Sequence, residues 1–524
     1  MPRRWKLIAM VAMVACFTSG WFLQRQIGVG GDVYQQARLF ENVLAHVRDF
    51  HVDSIGESEL YRKATDGMLA QLRDPYAALL AGKDLERHVE RTTGDYAGIG
   101  LLVDARNGWV TVVTPMAESP AERAGVRTGD RLFEVNGVSA ADWTLDQAVL
   151  AMRGAVGTPI DITIQREGAA EPLRFRLVRE LIHQRAVPPG LLLTDSVGYL
   201  SLTMVRDHAA RELEHEVERL VGQGMRILLL DLRSNPGGLR DEAVETADLF
   251  LDPRQEILVS RGRAPGDNHS WSDDRPQRWP DLPVVVLVSS GTASAAEIIA
   301  GALQDHDRAL IVGDTTYGKG IVQTVFTLSP DLALRMTTAR WFTPSGRSIQ
   351  GAALDSAMGS EHAPPTETTY STAGRELGSG NGLVPDIVLE PDTLTASESL
   401  FAQTLSEQIP VFRDVLTAYA LEIKKGRSVA GELFQVTAEM RAEVRQRLEA
   451  RGVTMADSVF SGGGRIVDEQ LGYEIARYAF GPLAEQRRRA AGDPQIRHAI
   501  QLVRGTSSPR ALLGIAGGNP PPGH

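Results

Sequence analysis

Cysteine is almost absent from this chain of 524 residues, and Cys16 is the only one. A single cysteine excludes an intramolecular disulfide, so the fold must be held by burial and hydrogen bonds. The sequence also lacks His-Glu-x-x-His, Cys-x-x-Cys and paired Asp-x-Asp loops, which are common ligand patterns of metal sites. We therefore expect no structural metal and no cofactor.

An excess of positive charge is missing as well. The chain has 55 Lys and Arg against 66 Asp and Glu, a formal net charge of −11. Proteins that bind nucleic acid show a basic stripe, so no nucleic-acid partner is expected. The one small basic cluster, around Arg487 to Arg489, is interpreted as a solvated helix face.

An apolar run from Leu7 to Leu23 follows three basic residues at the N-terminus. The run is at the short limit for a membrane span, and its basic flank would stay in the cytoplasm. Residues 1–25 are interpreted as an uncleaved signal anchor, a cleaved signal peptide, or a lipoprotein signal that ends at Cys16. No Ala-x-Ala site follows the run closely, which favours the anchor. We expect the rest of the chain to lie outside the cytoplasm.

The period of apolar residues changes several times along the chain, whose length predicts two to four domains. Residues 32–95 show helical spacing, and residues 96–180 show short alternating runs between turns, typical of a β-rich domain. Residues 181–392 alternate strands with helices, which predicts a mostly parallel sheet covered by helices. Residues 395–516 are helical in pattern, and the Gly- and Pro-rich end, 517–524, is predicted to be disordered. Residues 252–282, within the α/β region, are predicted to be a surface loop.

Two motifs in the β-rich region belong together. Gly98-Ile99-Gly100-Leu101 lets successive backbone N–H groups point into one concavity, which suits an anion. Further along stands Ser119-Pro-Ala-Glu-Arg-Ala-Gly-Val-Arg-Thr-Gly-Asp-Arg-Leu, followed by an Asn-Gly turn. Together they resemble a PDZ domain. The resemblance implies binding of the free C-terminus of another polypeptide, in a groove that Ile99, Leu101 and Val103 would line.

Ser294 lies where an apolar strand leads through Gly291 into a predicted helix. With Glu297 three residues on, it fits the Ser-x-x-Glu capping box that begins many helices. The same corner suits a nucleophile, because free N–H groups at a helix start provide the field that an oxyanion requires. From the residues alone both interpretations stay open.

Lys319 stands between two glycines just before a strand, where a lysine is by default a solvated surface residue. Positions 319, 321 and 323 share one face of a strand, so a buried Gln323 would need a partner such as Lys319 or Ser294. The alternative for Gln323 is a polar residue on an edge strand.

The segment from Asp231 to Leu239 runs from a buried strand into Asn-Pro-Gly-Gly. Gly237 and Gly238 either form an ordinary turn or leave N–H groups open to a ligand. Beside a nucleophile, such a group could serve as an oxyanion-hole donor.

These segments, in this order behind a PDZ domain, resemble the carboxyl-terminal processing (tail-specific) serine peptidases over about residues 35–390. The resemblance implies N-terminal helices, the PDZ domain and an α/β peptidase core with a crotonase-like sheet, whereas the helical region after about residue 395 matches no family that we can name. It implies Ser294 as the nucleophile, Lys319 as the general base and Gln323 as the residue that orients the lysine. The oxyanion donors would be the N–H groups of Ala295 and of Gly237 or Gly238. Thr292 departs from the family, in which a serine is usual.

The sequence thus predicts a serine endopeptidase with a Ser-Lys dyad, anchored on the periplasmic side of the bacterial inner membrane. It would process or degrade proteins near apolar C-terminal tails that the PDZ domain captures, with a homo-oligomer or an adaptor protein as further partners. A lysine must be neutral to act as a base, so Lys319 is expected to be substantially buried. The alternative is a catalytically silent PDZ scaffold. Acyl-CoA chemistry on a related fold lacks a phosphate-binding motif.

Overall fold

The computed structural model describes most of the chain after residue 32. The described ranges are 33–106, 108–166, 169–272, 274–358, 368–378, 380–390 and 392–516. The predicted anchor at residues 1–25 and the predicted disordered tail at 517–524 lie outside them. None of the helices in these ranges combines the length and the apolar character that a membrane span requires.

The described residues form two compact units. The first comprises residues 33–80 and Val325–Met336. It contains a helix over 33–50, the helix Glu57–Gln71 and most of the short strand Ala78–Ala81. The Arg335 guanidinium donates to the Tyr76 carbonyl oxygen at 3.1 Å within this unit. The region predicted to be helical, residues 32–95, therefore also contains the strand Ala78–Ala81. The sequence did not reveal this strand because four consecutive apolar residues are too few to define a period.

The β-rich region lies in the second unit and is an antiparallel sheet. Its strands in spatial order are Leu101–Arg106, Trp109–Pro115, Arg131–Val135, Pro159–Gln165 and Leu173–Val178, with Val138–Ser139 beside Arg131–Val135. The helices Pro120–Arg123 and Leu145–Met152 complete it. Among the described residues, Leu101–Arg106 pairs on one side only, so this edge of the sheet is open to an added strand.

The α/β region is built on a six-stranded, mostly parallel sheet. Its strands in order are Leu191–Leu192, Val197–Ser201, Ile227–Asp231, Val284–Val288, Leu310–Gly313 and Ile387–Val388. Only the first pair is antiparallel. The helices Ala209–Gly222, Arg240–Asp248 and Ala295–Asp305 accompany these strands.

Both faces of this sheet are buried, which explains why its strands are continuously apolar. Alternate residues such as Leu228 and Val286 belong to the hydrophobic cluster that contains the three core helices. The intervening residues, such as Leu229 and Val285, pack against Ile496 and other residues of the C-terminal helices Pro494–Leu502 and Pro509–Ala516. These two C-terminal helices therefore form a layer of the α/β core.

Two strands, Glu256–Gly262 and His269–Ser272, pair with each other in the predicted surface loop at 252–282. The first also pairs with the strand Leu332–Phe342, which forms a hairpin with Ile321–Ser329. The prediction of a loop was wrong here. Ile257 to Val259 are consecutive and so show no alternation, and the Pro, Gly, Ser and Asp residues of the segment indicated a loop. The minor elements that follow are Ala352–Ala357, Thr369–Tyr370 and Glu376–Leu377.

The C-terminal helical region has its own hydrophobic cluster, centred on Phe401 and Leu471. Its helices before residue 493 are Ala396–Leu405, Ile409–Gly426, Ala438–Ala450, Asp457–Gly462, Gly464–Phe480 and Pro482–Gly492, with a 3₁₀ turn at Ser406–Gln408. This part contacts the PDZ sheet through ion pairs of Arg413 with Asp104 and of Arg106 with Glu474.

The chain enters and leaves the PDZ region through two paired strands, Asp95–Gly98 and Glu180–His183, preceded by the helix Lys83–Thr93. His183 joins this strand pair to the α/β core. Its Nδ1 lies 2.7 Å from the Asp95 carboxylate and its Nε2 lies 2.7 Å from Glu212 on helix Ala209–Gly222. Partial burial opposes the charged imidazolium, but the two carboxylates outweigh it and raise the pKa of His183 above its ordinary 6.5.

The raised pKa predicts a pH-dependent contribution to stability. A folded-state pKa above the unfolded one means that the contribution is full below about pH 6.5 and is lost as the pH rises through the folded pKa. We expect His183→Gln to lower Tm most at about pH 5 to 6, and the gap from wild type to narrow toward pH 8.5. Thermal unfolding across this range measures it.

The matched control is His498→Gln, an exposed histidine on helix Pro494–Leu502. It should follow the wild type at every pH. A gap for His183→Gln that stays constant with pH would show that the ring contributes only packing and neutral hydrogen bonds.

Candidate active site

Ser294 occupies a strained turn between strand Val284–Val288 and helix Ala295–Asp305. Its φ is +55° and its ψ is −117°, a conformation that residues other than glycine rarely adopt. Such strain costs about 1–3 kcal/mol and persists only where the surroundings hold it. A sharp strand-to-helix turn of this kind is also how α/β hydrolases expose a nucleophilic serine. The sequence indicated the corner but not its strain.

Glu297 is fully buried, and its carboxylate accepts four hydrogen bonds. Oε2 accepts from the N–H groups of Ser294 at 2.7 Å and Lys319 at 2.9 Å. Oε1 accepts from the Thr316 hydroxyl at 2.5 Å and the Gly318 N–H at 2.8 Å. Because one oxygen atom receives both amides, the backbones of Ser294 and Lys319 lie within two hydrogen-bond lengths of each other.

Burial raises the pKa of the Glu297 carboxyl above its ordinary 4.5, and the four donors oppose that rise. The carboxylate also begins the helix, as the capping interpretation predicted, and the Glu297 N–H donates to the Ser294 carbonyl oxygen at 2.8 Å. These bonds run through the backbone N–H and C=O of Ser294, and neither group is the hydroxyl to which the sequence prediction assigns the nucleophilic role. Capping and catalysis are therefore compatible at this residue.

Lys319 and Gln323 form the contact that their shared strand face suggested. Lys319 Nζ donates to Gln323 Oε1 at 2.9 Å, and the Trp341 indole N–H donates to the Lys319 carbonyl oxygen at 3.1 Å. Both Lys319 and Gln323 are half-buried, so Lys319 is less enclosed than the expected substantial burial. The Nε2 of Gln323 is buried and has no hydrogen-bond partner among the described residues.

The glycine turn after Asp231 lies directly against Ser294. Gly237 has a φ of +94°, and a Cβ there would meet the Ala293 carbonyl oxygen at 2.7 Å, the Ser294 Cβ at 2.8 Å and the Ala295 nitrogen at 2.9 Å. Only glycine permits this approach.

The three predicted oxyanion donors differ in what their N–H groups already bind. The Gly237 N–H donates to the side-chain oxygen of Asn235 at 2.9 Å, so it is engaged within the loop. The N–H groups of Gly238 and Ala295 have no acceptor among the residues that the structure describes. They are the better candidates for oxyanion donors.

Thr292, where the family usually has a serine, is fully buried. Its hydroxyl donates to the Leu232 carbonyl oxygen at 2.8 Å and accepts from the Ser289 N–H at 2.9 Å. Its carbonyl oxygen accepts from the Tyr317 N–H at 2.9 Å. Both hydroxyl bonds use an oxygen that serine would also supply, so the departure leaves the turn before Ser294 intact.

The predicted carboxylate-binding loop of the PDZ domain, Gly98 to Leu101, closes tightly on Ser119. Gly100 has a φ of +74°, and a Cβ there would lie 2.2 Å from the Ser119 Cβ. The Ile99 side chain is buried in the PDZ core rather than lining a groove, while Leu101 and Val103 are half-buried on the edge strand. The apolar lining predicted for the groove therefore falls to these last two residues.

In the part of the chain that the structure describes, one group of potential metal ligands comes together: Asp207, His208 and Glu242. The Glu242 carboxylate already accepts from the N–H groups of His208 at 3.0 Å and Ala210 at 3.1 Å. The bonds around Ser294 and Lys319 involve none of the three.

Comparison with known proteins gives the family. Residues 196–358 match peptidase family S41, and residues 111–166 match the PDZ domain. The carboxy-terminal-processing protease of Bartonella bacilliformis is 35% identical over 358 residues, which cover 66% of this chain and 82% of that protein. The chain belongs to peptidase family S41. This S41 peptidase is accordingly a serine-type peptidase, and the family and fold inferred from the sequence are confirmed.

Further relatives of this S41 peptidase are similar over the same span. A probable CtpA-like serine protease of Staphylococcus haemolyticus is 31% identical, covering 67% of this chain and 72% of its own. Among solved structures, the photosystem II D1 C-terminal processing protease is 26% identical with a TM-score of 0.37, covering 68% of this chain and 88% of that one.

The sequence predicted Glu297 only as a helix cap. It did not reveal that the same carboxylate also binds the Lys319 N–H and so links the two candidate catalytic residues. Testing that role requires removing its charge while keeping its shape. In Glu297→Gln an NH₂ group replaces one oxygen and faces donors, and each buried donor left unsatisfied costs about 1–3 kcal/mol. We expect kcat/KM of this S41 peptidase to fall by roughly tenfold to a hundredfold, with a lower Tm.

The matched control is Glu398→Gln, the same change in the capping box that Thr395 and Glu398 form at helix Ala396–Leu405. It should lower Tm and leave kcat/KM within about twofold of wild type. Peptide hydrolysis and thermal unfolding measure both variants. If the kcat/KM of Glu297→Gln equals that of Glu398→Gln, Glu297 acts only as a helix cap.

Proposed function

We propose that this S41 peptidase hydrolyses peptide bonds with Ser294 as the nucleophile and Lys319 as the general base. The observation that carries the proposal is the shared acceptor: Oε2 of Glu297 binds the N–H groups of both residues. The bond from Lys319 Nζ to Gln323 supports it, because an oriented amine is what a base in this position requires.

The reaction then proceeds through an acyl-enzyme. Neutral Lys319 removes the proton from Ser294 Oγ as the oxygen attacks the peptide carbonyl carbon. The N–H groups of Ala295 and Gly238 stabilise the oxyanion. The Lys319 ammonium passes its proton to the leaving amine, and the neutral lysine then activates the water that hydrolyses the ester.

Gln323 serves this cycle by aiming the amine. Its Oε1 accepts one Nζ–H bond, which fixes the rotation of the Lys319 side chain. Its Nε2 is buried and unpartnered within the described ranges, so the contact with Lys319 uses the Oε1 of the amide alone.

We propose further that the PDZ domain captures the C-terminal tail of the protein substrate. The open edge of Leu101–Arg106 supports addition of the tail as an extra strand, and the loop from Gly98 to Leu101 supports binding of its carboxylate. Half-buried Leu101 and Val103 on that edge favour an apolar tail. A peptidase that holds its substrate by the C-terminal tail would cleave it near the C-terminus.

The place of action is proposed from the N-terminal sequence. The basic residues before the apolar run at Leu7 to Leu23 favour an anchor that puts the peptidase on the periplasmic side of the bacterial inner membrane. A cleaved signal peptide and a lipoprotein signal ending at Cys16 stay open as alternatives. Protease protection of intact spheroplasts, scored against lysed ones, distinguishes an outer-facing from an inner-facing chain.

The dyad predicts the effects of single substitutions. Ser294→Ala and Lys319→Ala remove the nucleophile and the base, so each should lower kcat by about a thousandfold or more with a wild-type Tm. The measurement is hydrolysis of an unstructured peptide with a free apolar C-terminus. Ser290→Ala, an exposed serine in the same turn, is the matched control and should retain full activity.

Activity in Ser294→Ala equal to wild type would overturn the dyad. An inert wild type that still binds the peptide tail would instead support the scaffold interpretation. Loss of activity in the Ser290 control would mean that the turn tolerates no change, and would remove the argument for Ser294.

Tail capture predicts a dependence on the substrate's terminal charge. A peptide with an amidated C-terminus cannot place a carboxylate in the PDZ loop, so its KM should rise about tenfold or more while kcat changes little. The control is the same peptide with a free carboxylate. Equal KM values would exclude carboxylate capture and leave the dyad untouched.

A further inference from the structure

Asp493 lies immediately before helix Pro494–Leu502 and uses its two carboxylate oxygens for different purposes. Oδ1 accepts from the N–H groups of Gln495 at 2.9 Å and Ile496 at 3.0 Å, which makes Asp493 the N-cap of the helix. Oδ2 lies 2.8 Å from the Arg233 guanidinium. Asp493 therefore both begins a helix of the C-terminal region and contacts Arg233, in the loop that follows strand Ile227–Asp231.

Arg233 is held by acceptors from two directions. Its Nε donates to Asp231 Oδ1 at 2.9 Å and one terminal nitrogen donates to Asp231 Oδ2 at 2.7 Å. The other terminal nitrogen donates to Gln495 Oε1 at 2.8 Å. Burial opposes the guanidinium charge, but Asp231 and Asp493 outweigh it and raise the pKa of Arg233 above its ordinary value.

Arg233 is also two residues from the part of the chain that contacts the nucleophile turn. The Asn235 carbonyl oxygen accepts from the Ala293 N–H at 2.9 Å, and its side-chain oxygen accepts from the Gly237 N–H at 2.9 Å. Ala293 precedes Ser294. The loop that carries Arg233 is therefore bonded, through Asn235, both to Gly237 and to the residue before Ser294.

Asp493 is itself held in place, because it caps a helix that packs on the sheet. The helix that it caps packs Ile496 and Ala499 against the sheet residues Ile227 and Leu229. The sheet and the capped helix thus hold Arg233 from opposite ends, with Asp231 ending one strand and Asp493 beginning the helix.

We propose that Asp493 is a positioning residue for peptide hydrolysis, acting through Arg233 to hold the loop that carries the Gly238 oxyanion donor. This inference rests on the proposed role of that donor. It assigns the C-terminal helical region a part in the chemistry, since the region supplies Asp493 and Gln495. Oxyanion donors act mainly in the transition state, so a displaced loop lowers kcat with little effect on KM.

The test separates positioning from folding. Asp493→Asn keeps a good N-cap but loses the charge that faces Arg233, and Asp493→Ser keeps a capping hydroxyl too short to reach it. In the full chain we expect each to lower kcat by about tenfold, with KM within about twofold and Tm within about 2 °C of wild type. Asp457→Asn is the matched control, since Asp457 pairs with Arg445 inside the C-terminal region, and it should keep the wild-type kcat.

Gln495→Ala provides a second variant, because it removes the other acceptor and leaves the backbone cap. It should lower kcat in the same selective way. Wild-type kcat in both Asp493→Asn and Gln495→Ala would overturn the inference, as would a rise in KM at unchanged kcat. A fall in Tm that accounts for the lost activity would assign Asp493 to folding alone and also overturn it. Ser294→Ala in the same assay reports the dyad separately, so failure of one proposal is distinguishable from failure of the other.

Discussion

The buried carboxylate of Glu297 is the interaction on which the arrangement of the site depends. Burying a charge is costly unless its hydrogen bonds are satisfied, and four donors satisfy this one. The donors come from two separate segments, the turn of Ser294 and the loop of Lys319. Neither segment can move away without leaving part of the carboxylate unsatisfied. The cost of the buried charge therefore fixes the geometry of the two residues proposed to react.

The same logic of burial makes the C-terminal helices part of the core. A parallel sheet with one bare apolar face is not stable in water, and here Pro494–Leu502 and Pro509–Ala516 pack on the second face. The region they end also contacts the PDZ sheet through Arg413 and Glu474. One helical region thus contacts both the PDZ domain and the loop beside Ser294.

What the sequence could predict was governed by distance along the chain. Local patterns gave the order of helical, β-rich and α/β regions, and short motifs gave Ser294, Lys319 and Gln323 as candidates. The strands Glu256–Gly262 and His269–Ser272 were missed because neither shows an alternating apolar pattern and the residues around them are typical of loops. The contact between Arg233 and Asp493 was invisible, since residues 260 positions apart share no periodicity. The bond between Glu297 and the Lys319 N–H was not predicted, because helix capping already accounted for a glutamate at this position.

That last ambiguity has a physical resolution. Two of the bonds that tie Ser294 to Glu297 run through its backbone N–H and C=O, and these two bonds do not consume its hydroxyl. The positive φ of Ser294 needs such ties, because an unsupported residue would relax to an unstrained conformation. The Ser-x-x-Glu pair therefore serves the helix and the proposed chemistry by one interaction. The carboxylate that begins the helix also supports the strained conformation of Ser294 and binds the loop that carries Lys319.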